Sequence, residues 1–512
     1  MRRFSLLIAL LLICRWLPLA TERQPLPITL EEAIEKALKS NLDLQIAITN
    51  PEVYQALLDK NRAIFIPNFV IGYNRTNANT PTSSVLEGGE LVTSNNQNLS
   101  LDLTQQLALG GTLQVSLDTR RYSTSSRFSS INPSLNSNVT FSLSQPLLKN
   151  FGTSITRKNI IVAMNNQQKS VQALKQSIID LIYSVEEAYW NLVYATQSLE
   201  VKQKQLELAR DLLRQNEIQV KIGVSAPMDI LTAKAEVAAR ESELLQSQNL
   251  IQLYEENLSR ILNVTDFSTQ LVPTSKPSLE EVATDFDQFL LEALEKRPDI
   301  EQVRLELKSK NIEVRYSRNQ LLPDLQLTAS YYTSGLSGDR LIYDGDPLFG
   351  GTVVGVIKGS VWDSMKDVFS GLYRNYTIGL QLSIPLKNNS TRADLAQAKL
   401  ALKQTMLQLK KTESTIYSDV KQVINDLEAG LKIVEATRIS RELAEQKLTA
   451  EQKKLAVGLS TNYQVLNFLR DLANAQSSEL KATIDYNLVL SRLGRVLGTT
   501  LEKRNIRFAD FL

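Results

Sequence analysis

Apolar residues recur at every seventh position over a long stretch of the chain: Val171, Ile178, Val185, Leu192, Leu199, Leu206, Leu213 and Val220. The companion slots Leu174, Leu181, Ala188, Ala195 and Ala209 are apolar or small, and Lys202 and Asn216 interrupt them. From Phe151 to Ser225 there is no proline, and the only glycines are Gly152 and Gly223. Such a frame is coiled-coil patterning. About 60 residues at 1.5 Å each predict a rod of roughly 90 Å. A second frame runs through Met406, Val420, Leu427, Val434, Leu448 and Leu455, broken by Glu413 and Arg441. Beyond Gly223 a partner helix is marked by Ile230, Val237, Leu244, Ile251 and Leu258. A glycine just past the last periodic residue stops a helix. Gly223 and Gly458 therefore predict the tips of two antiparallel helical hairpins.

Other segments alternate with period two, which predicts half-buried strands. They are Phe69–Tyr73, Leu99–Leu103, Leu113–Leu117 and Val139–Leu143, then Leu325–Tyr331 and Tyr376–Ile384. One face is apolar; the other is Ser, Thr, Gln and Gly, with almost no Lys or Glu. The segments read as nine or ten residues long. Loops alternate between short (Gly110-Gly111) and long and polar (Ala78 to Asn96, Gly335 to Arg374). These traits favour a membrane barrel over a soluble sandwich. Six strands cannot close such a barrel alone, and an open edge in lipid leaves backbone groups unpaired. Val361–Phe369 reads as a short amphipathic helix packed over the barrel rim. Gly350–Val356 has two glycines at phosphate-loop spacing, but Val356 stands where the lysine is needed, so it reads as flexible loop.

The chain is also duplicated. Ala37–Leu44 aligns with Ala293–Ile300, and Ile66-Pro67-Asn68-Phe69 with Leu322-Pro323-Asp324-Leu325, at an offset of 256. Further on, an offset of 235 carries Gly223-Val224-Ser225 onto Gly458-Leu459-Ser460 and Leu258–Leu262 onto Leu493–Leu497. The first copy spans 21–272, with strands about 68–147 and a hairpin about 156–263. Residues 273–285, opening on Pro273-Thr274-Ser275-Lys276-Pro277, read as a linker. The second copy spans 286–501, with strands about 324–385 and a hairpin about 391–498, and 502–512 is a tail.

Residues 1–20 read as a secretory signal: Arg2 and Arg3 precede ten apolar or small residues, too few to span a bilayer. Ile13 before Cys14 argues against lipidation. The 57 basic and 55 acidic residues give a net charge of +2. The signal holds Arg2, Arg3, Arg15 and no acid, so without it the chain is at −1, which speaks against nucleic acid as a partner. Histidine is absent and Cys14 is the only cysteine. Ser-His-Asp, Cys-His, zinc and haem chemistry are thereby excluded, as are disulfides within the mature chain. Glu186-Glu187 and Glu255-Glu256 read as solvated helix surface. No catalytic residue, metal or cofactor is expected.

Leader, duplication, paired strands and long hairpins together resemble the TolC-like outer-membrane factor family over about Ile28 to Leu501. Thr29-Leu30-Glu31-Glu32-Ala33 is similar to its opening helix. Ser144-Gln145-Pro146-Leu147 and Ser383-Ile384-Pro385-Leu386 resemble its strand-to-helix exits. The resemblance implies α plus membrane β architecture: a homotrimer whose outer-membrane β-barrel is continued by a periplasmic α-helical barrel. It implies an exit duct for efflux or type I secretion, docked on a periplasmic adaptor and an inner-membrane pump of RND or ABC type. The docking tips would be Ile222, Gly223, Val224 and Ser225, with Val457, Gly458, Leu459 and Ser460. The family often carries two acids six and nine positions after the second tip glycine; here those positions hold Gln464 and Asn467. These two neutral amides are the expected pore constriction. Asp229, six positions after Gly223, either adds an acidic ring there or merely begins its helix after Pro227. The extra hairpin around Leu99–Leu117 leaves four or six strands per chain open. The competing reading is a periplasmic adaptor or structural coiled-coil protein, which would have one hairpin and no duplicated membrane-type strands.

Overall fold

The computed structural model describes residues 24–82, 90–126, 129–223, 226–264, 269–345 and 351–511. The expected signal with Cys14, the tip residues Val224 and Ser225, and Gly350 lie outside the described residues. The chain divides into two compact units, and each draws on both copies.

One unit comprises the described parts of 1–52, 169–303 and 408–512. It opens with β1 (Gln24–Ile28) and α1 (Leu30–Ser40), and α2 (Leu42–Arg62) begins here. Thr29 caps α1 in a capping box with Glu32, satisfying two otherwise orphaned backbone donors. Leu30, Ala33, Ile34 and Ala37 make its buried face. The long helix α3 (Lys158–Lys221) and its partner α4 (Pro227–Ile261) form the first hairpin. β6 (Thr269–Pro273) pairs in parallel with β1. Pro25, Pro27 and Pro273 hid these two strands from the sequence reading. Tyr189 of α3 is fully buried here, donating to the Ile28 carbonyl and accepting from the Thr274 and Ser275 N–H groups. One apolar core surrounds Ile178, Ile182, Val185 and Leu192 of α3, at the predicted heptad positions and their neighbours.

Further along come α5 (Phe286–Lys296) and α6 (Pro298–Asn319). The second hairpin is α8 (Asn389–Ala456) and α9 (Asn462–Leu497). Val420, Leu427 and Val434 of α8 centre a second core with Ile300 and Leu493. Among the described residues no helix is long and apolar enough to cross a membrane.

The carboxylate pairs are not surface pairs. Glu186 is buried and ion-paired with Arg504, and Glu255 is buried and accepts from the Leu271 N–H at 3.0 Å. Glu187 and Glu256 are exposed. Adjacent helical residues lie about 100° apart, so a pair straddles the edge of a buried face.

The other unit comprises 53–168 and 304–407. Its centre is one antiparallel sheet of β2 (Asn68–Pro81), β3 (Leu91–Gln106), β4 (Thr112–Thr124), β5 (Ile131–Pro146), β7 (Asp324–Asp344) and β9 (Tyr373–Ser383), in that spatial order. All six predicted strands are present, and the extra hairpin β3–β4 is part of the sheet. A seventh segment, β8 (Thr352–Ile357), pairs only with the far end of β7, on the edge that β9 occupies lower down. It replaces the flexible loop expected there.

The six predicted strands run from 11 to 21 residues, longer than alternation predicts. Beyond Tyr73 both faces of β2 turn polar, as Asn74-Arg75-Thr76-Asn77 shows, so the period-two signal fades. The ladder nevertheless continues from Asn74↔Asn98 to Pro81↔Leu91. The expected loop from Gly335 to Arg374 likewise contains the end of β7, β8 and the helix α7 (Val361–Ser370).

Candidate functional site

The register puts the apolar residues of six strands on one face. Phe69 and Ile71 of β2 lie opposite Leu103 and Leu101 of β3, which lie opposite Val115 and Leu117 of β4. These meet Phe141 and Val139 of β5. Phe141 meets Tyr331 of β7, which meets Tyr376 of β9; Ile378, Leu380 and Leu382 follow on β9. Most of these large side chains are exposed in the single chain. Each forgoes about 1.5–3 kcal/mol if left in water, and a patch this size marks an interaction surface. On β7 the run Leu325 to Tyr331 extends roughly 20 Å along the strand, close to the apolar band of an outer-membrane barrel.

The opposite face is polar. Ser116 donates to Asp102 at 2.7 Å and Gln114 to the same carboxylate at 3.3 Å. Arg120 reaches Asn96 at 2.6 Å, and Gln326 donates to Ser144. A sheet apolar on one side and hydrogen-bonded in polar chains on the other suits a wall between lipid and water.

Both helical hairpins turn as expected. Gly223 and Gly458 adopt φ of +81° and +78°. At the second tip the Leu459 N–H reaches back to the Lys454 carbonyl at 2.9 Å, closing the helix end. Pro227 starts α4 and Thr461 caps α9 by accepting from the Gln464 N–H. Around the turns Ile222, Met228, Val457, Leu459 and Tyr463 project as exposed apolar groups. Ser460 donates to Glu451, fixing the second turn.

Asp229 and Gln464 occupy the same place in their hairpins, the third residue of α4 and of α9. Gln464 is exposed; Asn467 and Asp229 are half-buried. The Asp229 carbonyl accepts from the buried Asn216 at 3.4 Å. The two hairpins are joined just inside their tips by a group the sequence reading missed. Glu236 of α4 is 2 % exposed, and Arg240 on the same helix and Arg470 of α9 both bind it. Arg240 continues to Glu243, and Glu243 to Lys202 of α3 at 2.8 Å. Burial works to raise both carboxyls, but the hydrogen bonds and positive charges of Arg470 and Arg240 outweigh it at Glu236. At Glu243, Lys202 and Arg240 do the same, so both sit below the usual carboxylate range. The signal for this group was the seven-residue step Ala233, Arg240, Ser247, which is the buried stripe of α4. Of the predicted frame, Ile230, Val237, Leu244 and Ile251 are only half-buried, while its last member, Leu258, is fully buried in the first core.

Such a molecule, with one lipid-compatible sheet and two long helical hairpins in its chain, is a membrane channel of the outer-membrane class. The chain belongs to the outer membrane efflux protein family, which it matches over residues 112–264 and 290–499. It is 22% identical over 360 residues to the outer membrane protein TolC of Vibrio cholerae, covering 69% of this chain and 76% of the relative. It is also 22% identical over 360 residues to the alkaline protease secretion protein AprF of Pseudomonas aeruginosa, covering 69% and 68%. The crystal structure of the Campylobacter jejuni CmeC outer membrane channel superposes with a TM-score of 0.64 at 15% identity, covering 94% of this chain and 90% of that one. The chain is thus an outer-membrane exit channel for efflux and secretion, and the adaptor alternative gives way.

Proposed function

We propose that three copies of the chain close one barrel, through which substrates delivered from the inner membrane leave the cell passively. The observation that carries this is the open sheet: among the described residues β2 and β9 each pair on one edge only. In lipid those free edges must find partners. Pairing β2 of one copy with β9 of the next satisfies them and makes an eighteen-stranded wall from six strands per chain. A periplasmic adaptor is the partner of the tips Ile222, Gly223, Val224, Ser225 and Val457, Gly458, Leu459, Ser460, a reading supported by the exposed apolar side chains of Ile222, Val457 and Leu459. An inner-membrane pump, of RND or ABC type, then supplies cargo and energy. Gln464 and Asn467 form the resting constriction, with Asp229 able to join it from the other hairpin. Widening that constriction requires the two hairpins to separate, and the Arg470–Glu236 contact resists this. Analytical ultracentrifugation in detergent tests the assembly. The expected mass is that of three chains, and a monomer that still conducts ions would overturn the reading.

A further inference from the structure

The helix α7 lies directly on the sheet. Its Ser364 hydroxyl is 2.7 Å from that of Ser137 on β5, both buried. A Cβ on Gly335 of β7 would come within 1.9 Å of the Ser364 carbonyl, so only glycine allows this approach. Ser137 and Gly335 are register partners, and the alternation places them on the same face as Phe141 and Tyr331. The helix therefore rests on the outside of the wall, at the end of the apolar band nearest the long loops.

Its sequence is wound for that place. At about 100° per residue, Ser364, Val368, Val361, Met365, Phe369 and Trp362 fill one continuous arc, and Lys366, Ser370, Asp363 and Asp367 fill the remainder. Only Ser364 and Val368 of the apolar arc are buried against the sheet. Trp362 is 68% and Phe369 75% exposed, beyond the strip that the strands cover. Two large rings left in water next to a lipid-facing surface, with carboxylates on the other side, match a helix lying in the plane of a membrane interface. The capping box of Ser360 with Asp363 and the left-handed Gly371 at the other end make it a complete, stopped helix.

We infer that α7 is an interfacial anchor: its exposed apolar flank enters the acyl–headgroup boundary of the outer leaflet, extending the lipid contact of the barrel. This rests on the sheet being the membrane wall. The occupant is lipid because the flank is continuous with the apolar face through Ser137 and Gly335; a protein partner or a second copy is the alternative outcome.

The test uses the full-length protein reconstituted in vesicles of phosphatidylcholine brominated near the headgroup end of its acyl chains, or unbrominated. The chain has three tryptophans, Trp16, Trp190 and Trp362, so the difference between wild type and Trp362→Phe isolates Trp362. That component should lose most of its intensity in brominated vesicles and resist iodide. Free quenching by iodide without bromolipid quenching would place the helix in water. Protection from both would mean a protein surface; either result overturns the proposal. Tyr376→Trp in the Trp362→Phe background reports on the wall itself. If that residue also escapes bromolipid, the membrane-wall reading fails rather than the anchor alone.

Discussion

Arg470 of α9 closes on Glu236 of α4 with its Nε at 3.0 Å and its Nη2 at 2.5 Å, tying the two hairpins of one chain together. Glu236 is buried, whereas Arg470 is half exposed, so the bond can open toward water from one side only. Removing Arg470 leaves Glu236 with Arg240 alone. The loss is on the order of 1.5–3 kcal/mol per chain, that of a hydrogen bond to a charged group. Arg470→Ala is therefore expected to keep the assembled trimer but raise single-channel conductance and admit larger solutes. Conductance equal to wild type would mean that the contact does not hold the tip closed.

The same group sets an acid response. Glu236 and Glu243 are held below the ordinary carboxylate range, against burial, by Arg470, Arg240 and Lys202. A carboxyl depressed in the folded state contributes fully above its unfolded value and loses that contribution as pH falls through the folded value. The closed tip is thus expected to be insensitive between neutrality and about pH 5, loosening only below about pH 4. Conductance recorded down a pH series checks this. Opening already complete at pH 6 would assign the response to other groups.

How much of this was legible in the sequence depends on which force writes the pattern. Heptads such as Ile178, Val185 and Leu192 record burial inside α3, and the glycines at 223 and 458 record a backbone only they adopt easily. The strands were legible where one face is apolar, as at Phe69, Ile71 and Tyr73, and became unreadable where both faces turn polar, as from Asn74 onward. β1 and β6 were hidden by prolines at edge positions. The ion group escaped because Glu236 and Arg240 look like an exposed i,i+4 pair, and only the approach of a second hairpin buries them.

The tip glycines should matter locally. At both Gly223 and Gly458 a Cβ would meet nothing within 4 Å, so the cost of substitution is backbone strain alone. Forcing a β-branched residue to positive φ costs on the order of 1–2 kcal/mol, too little to unfold hairpins this long but enough to reshape a turn. Gly223→Val combined with Gly458→Val is expected to abolish export while the trimer still reaches the membrane. Undiminished export would remove the tips from the docking surface.

The proposed resting constriction offers the sharpest test of the individual residues. In a threefold assembly each residue facing the axis occurs three times, and rings of aspartate there would bind cations and repel one another. Gln464 and Asn467, proposed here to face that axis, are neutral amides that would hydrogen-bond across it without that repulsion. Wild type should accordingly show weak cation selectivity and weak block by trivalent metal ions. Gln464→Asp with Asn467→Asp should strengthen both. Position 464 is the third residue of α9, where the helix N-terminus favours negative charge, so the new carboxylate stays ionised at neutral pH. Asp229 already sits at the matching place in α4, and there the same dipole can be its whole purpose. Single-channel recording of the two proteins side by side decides between these roles. Strong selectivity and block already present in wild type would show that Asp229 faces the axis, and Asp229→Asn should then remove both.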